Sequence, residues 1–177
     1  MSPETNSVNR LPMLNLEHLE KISLDGVWRF QLLHSPTHRV GKKWAQIPVP
    51  GLWTMQPESE VFFDKPIYTN VQMPFEEQPP FVPADNPHGV YERDFDVPDS
   101  WMSKRVILHL GGYESVALVF INGTEVGMSK DSRLAAEFDV TKFLTRGRNT
   151  VRIDVTKWSD APFKTDGRTR FLLTSRS

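Results

Sequence analysis

The stretch S115-VALVFI-NG-TEVGMS-K130 decides the fold. Six apolar residues run without interruption into Asn122-Gly123, and a second strand-like run follows at once. Asn-Gly tolerates the positive φ angles of a two-residue type I′ turn, so the pair predicts a β-hairpin. The flanking sequence extends the pattern. Upstream, RVILHL (105–110) is a short apolar strand, and VYERDFDV (90–97) alternates, with Tyr91, Arg93, Phe95 and Val97 on one side and Glu92, Asp94 and Asp96 on the other. Downstream, FDVTKFL reads as a capped turn in which Asp139 or Thr141 holds a single helical turn carrying Phe143 and Leu144. RGRNTVRIDVTKW then closes with an alternating strand. Near the N-terminus, LDGVWRFQLL turns at Asp25-Gly26 into a strand with Trp28, Phe30 and Leu32 on one face and Val27, Arg29 and Gln31 on the other. Short strands separated by turn signals predict an all-β jelly-roll β-sandwich.

Composition agrees with that class. The 177 residues suit one domain of ordinary size, or one domain with an extended arm, and 38% of them are hydrophobic, enough to supply a core. The 14 Pro argue against a helical bundle. The 5 Trp and 11 Phe suit a sandwich core and also supply platforms on which sugar rings stack. From Trp44 to Pro87 the chain is rich in proline and aromatics, and ordered loops packed over a sheet are expected there. Residues 1–23 are expected to form a polar arm, residues 24–161 the sandwich, and residues 162–177 an atypical tail in which Phe171, Leu172 and Leu173 form a short edge strand.

The same numbers exclude several functions. A net charge of −1 gives no electrostatic case for nucleic acid or an anionic membrane. No apolar run approaches the roughly 20 residues of a membrane span. The N-terminal residues show neither a basic start nor an apolar run, so a cytoplasmic location is expected. Cysteine is absent, which removes disulfides, thiolate metal sites and a cysteine nucleophile. Phosphate-loop, dinucleotide, serine-hydrolase and zinc-protease signatures are missing.

The remaining candidates have bland readings. The histidines, His18, His34, His38, His88 and His109, are scattered, and His109 reads as a satisfied structural residue within an apolar strand. Glu76 and Glu77 read as solvated, as do Asp94 and Asp96. Asn122-Gly123-Thr124 matches a glycosylation pattern but reads first as a turn. In KDSRLAAEFD (130–139), Arg133 is expected to pair with Asp131 or Glu137. Asn86 precedes Pro87, which holds it extended and makes its amide a candidate to point into a cleft.

Taken together, GLWTMQ (51–56), DKPIYTNVQMPF (64–75), PPFVPADNPHGVYERDFDVPDSW (79–101) and INGTEVGMSKDSRLAAEFDVTKFLTRGRNTVRIDVTKWSDA (121–161) resemble, in order and spacing, the N-terminal domain of glycoside hydrolase family 2 β-galactosidases. The resemblance implies a jelly-roll sugar-binding domain that packs against a catalytic TIM barrel and sends loops to its active site. By motif match, Asn86 stands at the galactose subsite. Asp160 stands where the family has an aspartate that contacts the galactosyl 6-hydroxyl and helps ligate sodium, and the family also uses magnesium. The implied partners are a galactoside sugar, the barrel and a second copy in a homo-oligomer, with no nucleic acid and no membrane.

Past Asp160 the pattern departs from the family, so the last jelly-roll strand is expected to be missing or replaced. The barrel's two catalytic glutamates have no counterpart here, so no catalytic residue is assigned. The expected function is that of a non-catalytic domain, a fragment of an enzyme that hydrolyses terminal β-D-galactosides. The alternatives are a free-standing carbohydrate-binding module and an assembly domain that stabilises a separate catalytic chain.

Overall fold

The structure is a computed structural model, described for residues 4–13, 20–56, 64–67, 75–77, 80–131, 134–159 and 170–176. Among the described residues, twelve strands form two antiparallel sheets. They are β1 (Ser7–Val8), β2 (Arg10–Leu11), β3 (Lys21–Ser23), β4 (Gly26–Leu33), β5 (Ala45–Val49), β6 (His88–Val97), β7 (Arg105–Gly112), β8 (Val116–Ile121), β9 (Thr124–Ser129), β10 (Ala136–Asp139), β11 (Gly147–Thr156) and β12 (Arg170–Arg176). The larger sheet runs β1-β9-β8-β11-β6-β4-β5 and the smaller β2-β10-β7-β12-β3. The only helical turns among the described residues are single 3-10 turns at Trp53–Met55, Asp99–Trp101 and Thr141–Phe143.

Strand alternation builds the core. In β4, Trp28 and Phe30 are buried and Val27 is exposed, and in β6 Tyr91, Phe95 and Val97 are buried. Ala117, Val119, Ile121, Val151, Ile153 and Val155 complete the inner face of the larger sheet, against Val106, Leu108, Leu110, Ala136 and Phe138 of the smaller. Each fully buried side chain of this size stabilises by about 1.5–3 kcal/mol relative to exposure. The Trp28 indole N–H, fully buried, donates to the Leu24 carbonyl at 2.7 Å. The proline-rich segment contributes to this core. Trp53 stacks on Phe30 with ring centroids 6.0 Å apart, and Phe30 lies 4.7 Å from Tyr91.

Turn chemistry follows the sequence. Asn122 has φ 51° and Gly123 φ 77°, as a type I′ hairpin requires. The Asn122 amide also donates to Phe143 O and Asn149 Oδ1 and accepts from Thr150 N, so it sews the hairpin to β11. Asp139 Oδ1 accepts from the Thr141 amide and hydroxyl, fixing the turn that packs Phe143 and Leu144 against the core.

Two expectations are corrected. Residues 1–23 are not simply an arm, because β1 pairs with β9 in the larger sheet and β2 with β10 in the smaller, while β3 pairs with β12. Asn9, at φ 55°, makes the kink that moves the chain from one sheet to the other, and its amide donates to Val126 O at 2.7 Å. Arg10 then forms an ion pair with Asp131 and donates to Ala135 O. Asp131 is thereby committed to Arg10; Arg133 lies outside the described residues. The second correction is the tail. The last strand is neither missing nor an edge, since β12 is inserted between β7 and β3.

The seat of the N-terminal segment is tight. A Cβ on Gly127 would collide with the Val8 carbonyl oxygen and lie 3.1 Å from Asn9 Cβ. Gly127→Ala is expected to destabilise the chain by about 1–3 kcal/mol through overpacking. Thermal unfolding followed by circular dichroism checks this, and unchanged stability would mean that β1 does not rest on Gly127.

Candidate functional site

One end of the larger sheet gathers the residues that the sequence singled out. There β6 begins after Asn86-Pro87 and β11 ends at Thr156. The backbone continues one step further, with Lys157 N donating to Pro87 O at 2.9 Å. Pro87 carries no N–H and holds Asn86 extended, so the backbone ladder stops. The Asn86 side chain supplies the next rung. Its Nδ2 donates to Trp158 O and its Oδ1 accepts from Trp158 N, both at 2.9 Å. Its own N–H donates to His34 O at 2.8 Å. Asn86 is 3% exposed, so its amide acts locally as a substitute for main chain.

The clamp also gathers the loops. Phe75 meets the buried Trp158 ring edge-on, with centroids 5.4 Å apart. Lys157 Nζ pairs with Asp64 Oδ2 at 2.6 Å, and the Trp53 indole N–H points at the same oxygen from 3.4 Å. Segments around residues 53, 64, 75 and 86 are therefore fastened to the end of β11. Ser159 is also buried. The structure thus places Asn86 against the backbone that leads to Asp160, while Asp160 itself lies outside the described residues.

A second cluster, not foreseen from sequence, abuts the clamp. His88 Nδ1 lies 2.9 Å from Thr156 Oγ1, its direct cross-strand partner. His88 Nε2 lies 3.6 Å from Asp154 Oδ2, too long for a full hydrogen bond but close enough for electrostatic contact. Arg152 grips Asp154 with both nitrogens of its fork, at 2.7 and 2.6 Å. Burial by itself would raise the Asp154 carboxyl, but His88 and Arg152 outweigh it and hold that group below the ordinary carboxylate range. The order Thr156, His88, Asp154 looks like a nucleophile and its base. All three are nevertheless buried, which leaves no room for a substrate at the hydroxyl. Alternation of Arg152, Asp154 and Thr156 along one face was visible in the sequence. The histidine that bridges them is 68 residues from its threonine partner.

The other candidates stay apart. His34 and His38 meet edge-on at 6.1 Å, and His34 approaches Asp85 at 3.5 Å on an exposed surface. Among the described residues no group of three His, Cys, Asp or Glu side chains converges on a metal. His109 faces the buried Glu137 at 3.4 Å. Glu76 and Glu77 are exposed. Asp94 is anchored rather than free, because Arg148, Thr150 and Arg29 all reach it and hold its carboxyl low.

Two outcomes are expected. Asn86→Ala removes both bonds to Trp158 and costs about 2 kcal/mol in urea unfolding, because a buried N–H and C=O lose their partner. Asp154→Asn has a pH signature. A depressed native carboxyl stabilises the fold above its unfolded value and stops doing so as pH falls through the native value. The stability gap between wild type and Asp154→Asn is therefore widest above about pH 4 and closes on further acidification, as thermal melts across pH will register.

Comparison with known proteins fits this architecture. Residues 21–173 match the family described as "Glycosyl hydrolases family 2, sugar binding domain". The chain is 41% identical over 152 residues to a β-galactosidase of Psychromonas ingrahamii, covering 81% of this chain and 14% of that protein. It is 40% identical over 153 residues to a β-galactosidase of Vibrio cholerae, with 81% and 14% covered. It thus spans about one seventh of the length of these curated relatives. Among solved structures, a β-glucuronidase from an uncultured Clostridium superposes with a TM-score of 0.61 at 18% identity, covering 95% of this chain and 31% of that one. A Bacteroides uniformis β-glucuronidase gives 0.60 at 21%, with 88% and 18% covered, and these two likenesses bear on the fold alone. The match over 21–173 and the identity to the β-galactosidases establish that the chain belongs to glycosyl hydrolase family 2, as its sugar-binding domain.

Proposed function

We propose that this domain serves a β-galactosidase-like enzyme that hydrolyses terminal β-D-galactosides, and that it lends loops to the galactose subsite without performing the chemistry. The observation that carries this reading is the Asn86–Trp158 clamp. It holds the backbone at Trp158, two residues before Asp160 in the sequence. In this reading Asp160 accepts from the galactosyl 6-hydroxyl and offers a hard oxygen to sodium. An ion held there would take Asp160 together with further oxygen ligands.

Hydrolysis with retention requires two carboxyl groups about 5 Å apart, one of them free to act as nucleophile. Among the described carboxylates, Asp64, Asp94, Asp131, Asp139 and Asp154 each hold a lysine or arginine. Cleavage is assigned to a catalytic barrel, the partner that the family resemblance implies. A second reading, assembly with that barrel as the chief role, is favoured by apolar side chains left in solvent. Met55 is 61% exposed and Phe81, in the proline-rich segment, 71% exposed.

Titration of the ¹⁵N-labelled chain with galactose, in sodium and then in potassium buffer, tests the proposal. The expected result is a set of sodium-dependent amide shifts around Trp158, Ser159 and Asp160 that disappears in Asp160→Ala. Dispersed signals that do not move in either buffer would overturn subsite binding by this domain and leave the assembly reading.

A further inference from the structure

The buried cluster beside the clamp does more than fill space. It lies on the outer face of the larger sheet, where polar side chains ordinarily remain in water. Here His88 and Asp154 are each 5% exposed. Desolvating a histidine and a carboxylate is unfavourable, and an apolar pair of similar volume would often serve stability as well or better. The gain from such a cluster is geometric. Its members are held only when every donor and acceptor is matched.

The matching runs along two strands. Arg152, Asp154 and Thr156 are successive residues of one face of β11, and His88 reaches across from β6 at the last backbone rung. The two ring nitrogens face different partners, Nδ1 at 2.9 Å from Thr156 Oγ1 and Nε2 at 3.6 Å from Asp154 Oδ2. On one side the ring is two residues from Asn86; on the other, its partner Thr156 is two residues from Trp158. The cluster and the clamp therefore share both strands, with only Pro87 and Lys157 between them.

We infer that His88, held by Thr156 and Asp154, is a positioning residue that fixes the crossing of residues 86–88 with 156–158 and so aims the chain as it leaves β11. It touches no substrate and acts through Asn86 and Trp158. This assignment concerns the geometry of the clamp. It stands apart from whether galactose binds, and its test contains no sugar.

Amide hydrogen exchange on the full 177-residue chain reads it out directly. In His88→Leu, exchange at the Trp158 amide is expected to accelerate by roughly tenfold more than at the Val151 and Ile153 amides in the middle of β11, because the opening is local. Thr156→Val is nearly isosteric and carries the test should His88→Leu fail to fold; the same local acceleration is expected. His88→Gln retains a polar group opposite the Thr156 hydroxyl and is expected to recover part of the Trp158 protection. A role in stability alone would accelerate all three amides together. That outcome, or unchanged Trp158 exchange in Thr156→Val, overturns the inference.

Discussion

The pairing of β6 with β11 is the constraint on which the rest of the domain depends. Ten residues of each strand face one another in unbroken register, from Gly147 opposite Val97 to Thr156 opposite His88. Because side chains alternate, that one register sets two surfaces at once. Inward, it aligns Tyr91, Phe95 and Val97 with Val151, Ile153 and Val155 over the smaller sheet. Outward, it brings Glu92 and Asp94 beside Arg152, Thr150 and Arg29 and sets His88 over Thr156. A slip of one residue would invert both faces, leaving aromatic rings in water and carboxylates in the core. The exposed ion pairs add little energy, but they agree with the register that the core demands.

Much of this was legible from sequence because it was local. The Asn122-Gly123 turn, the alternation of β4 and β6 and the Asp139 turn each declare themselves within a few residues. The N-terminal strands could not, since β1 and β2 have two residues each and show no period. Their identity comes from the sheet edges that receive them. The tail was misjudged for a related reason. Phe171 to Leu173 is a short apolar run, and periodicity alone does not say whether such a run lies at an edge or between two neighbours.

The candidate site divides in the same way. Pro87 marked Asn86 as extended, yet its real partner is the backbone of a residue 72 positions away. Asp154 was hidden in plain view, as a polar residue on a strand face that is usually wet. What distinguishes it is burial by the surrounding fold together with His88, and neither is written near it in the chain. The family resemblance supplied Asp160 where local physics offered only a carboxylate after a strand.

The Asn9 kink has a mechanical meaning. Within five residues the backbone is hydrogen-bonded first to one sheet and then to the other. Tension applied at the N-terminus is thus divided between two layers. Sliding one sheet over the other would stretch the same short segment, so the kink acts as a shear pin across the sandwich. A left-handed residue, easily passed over as a local irregularity, couples two sheets that otherwise meet chiefly through greasy and therefore slippery surfaces.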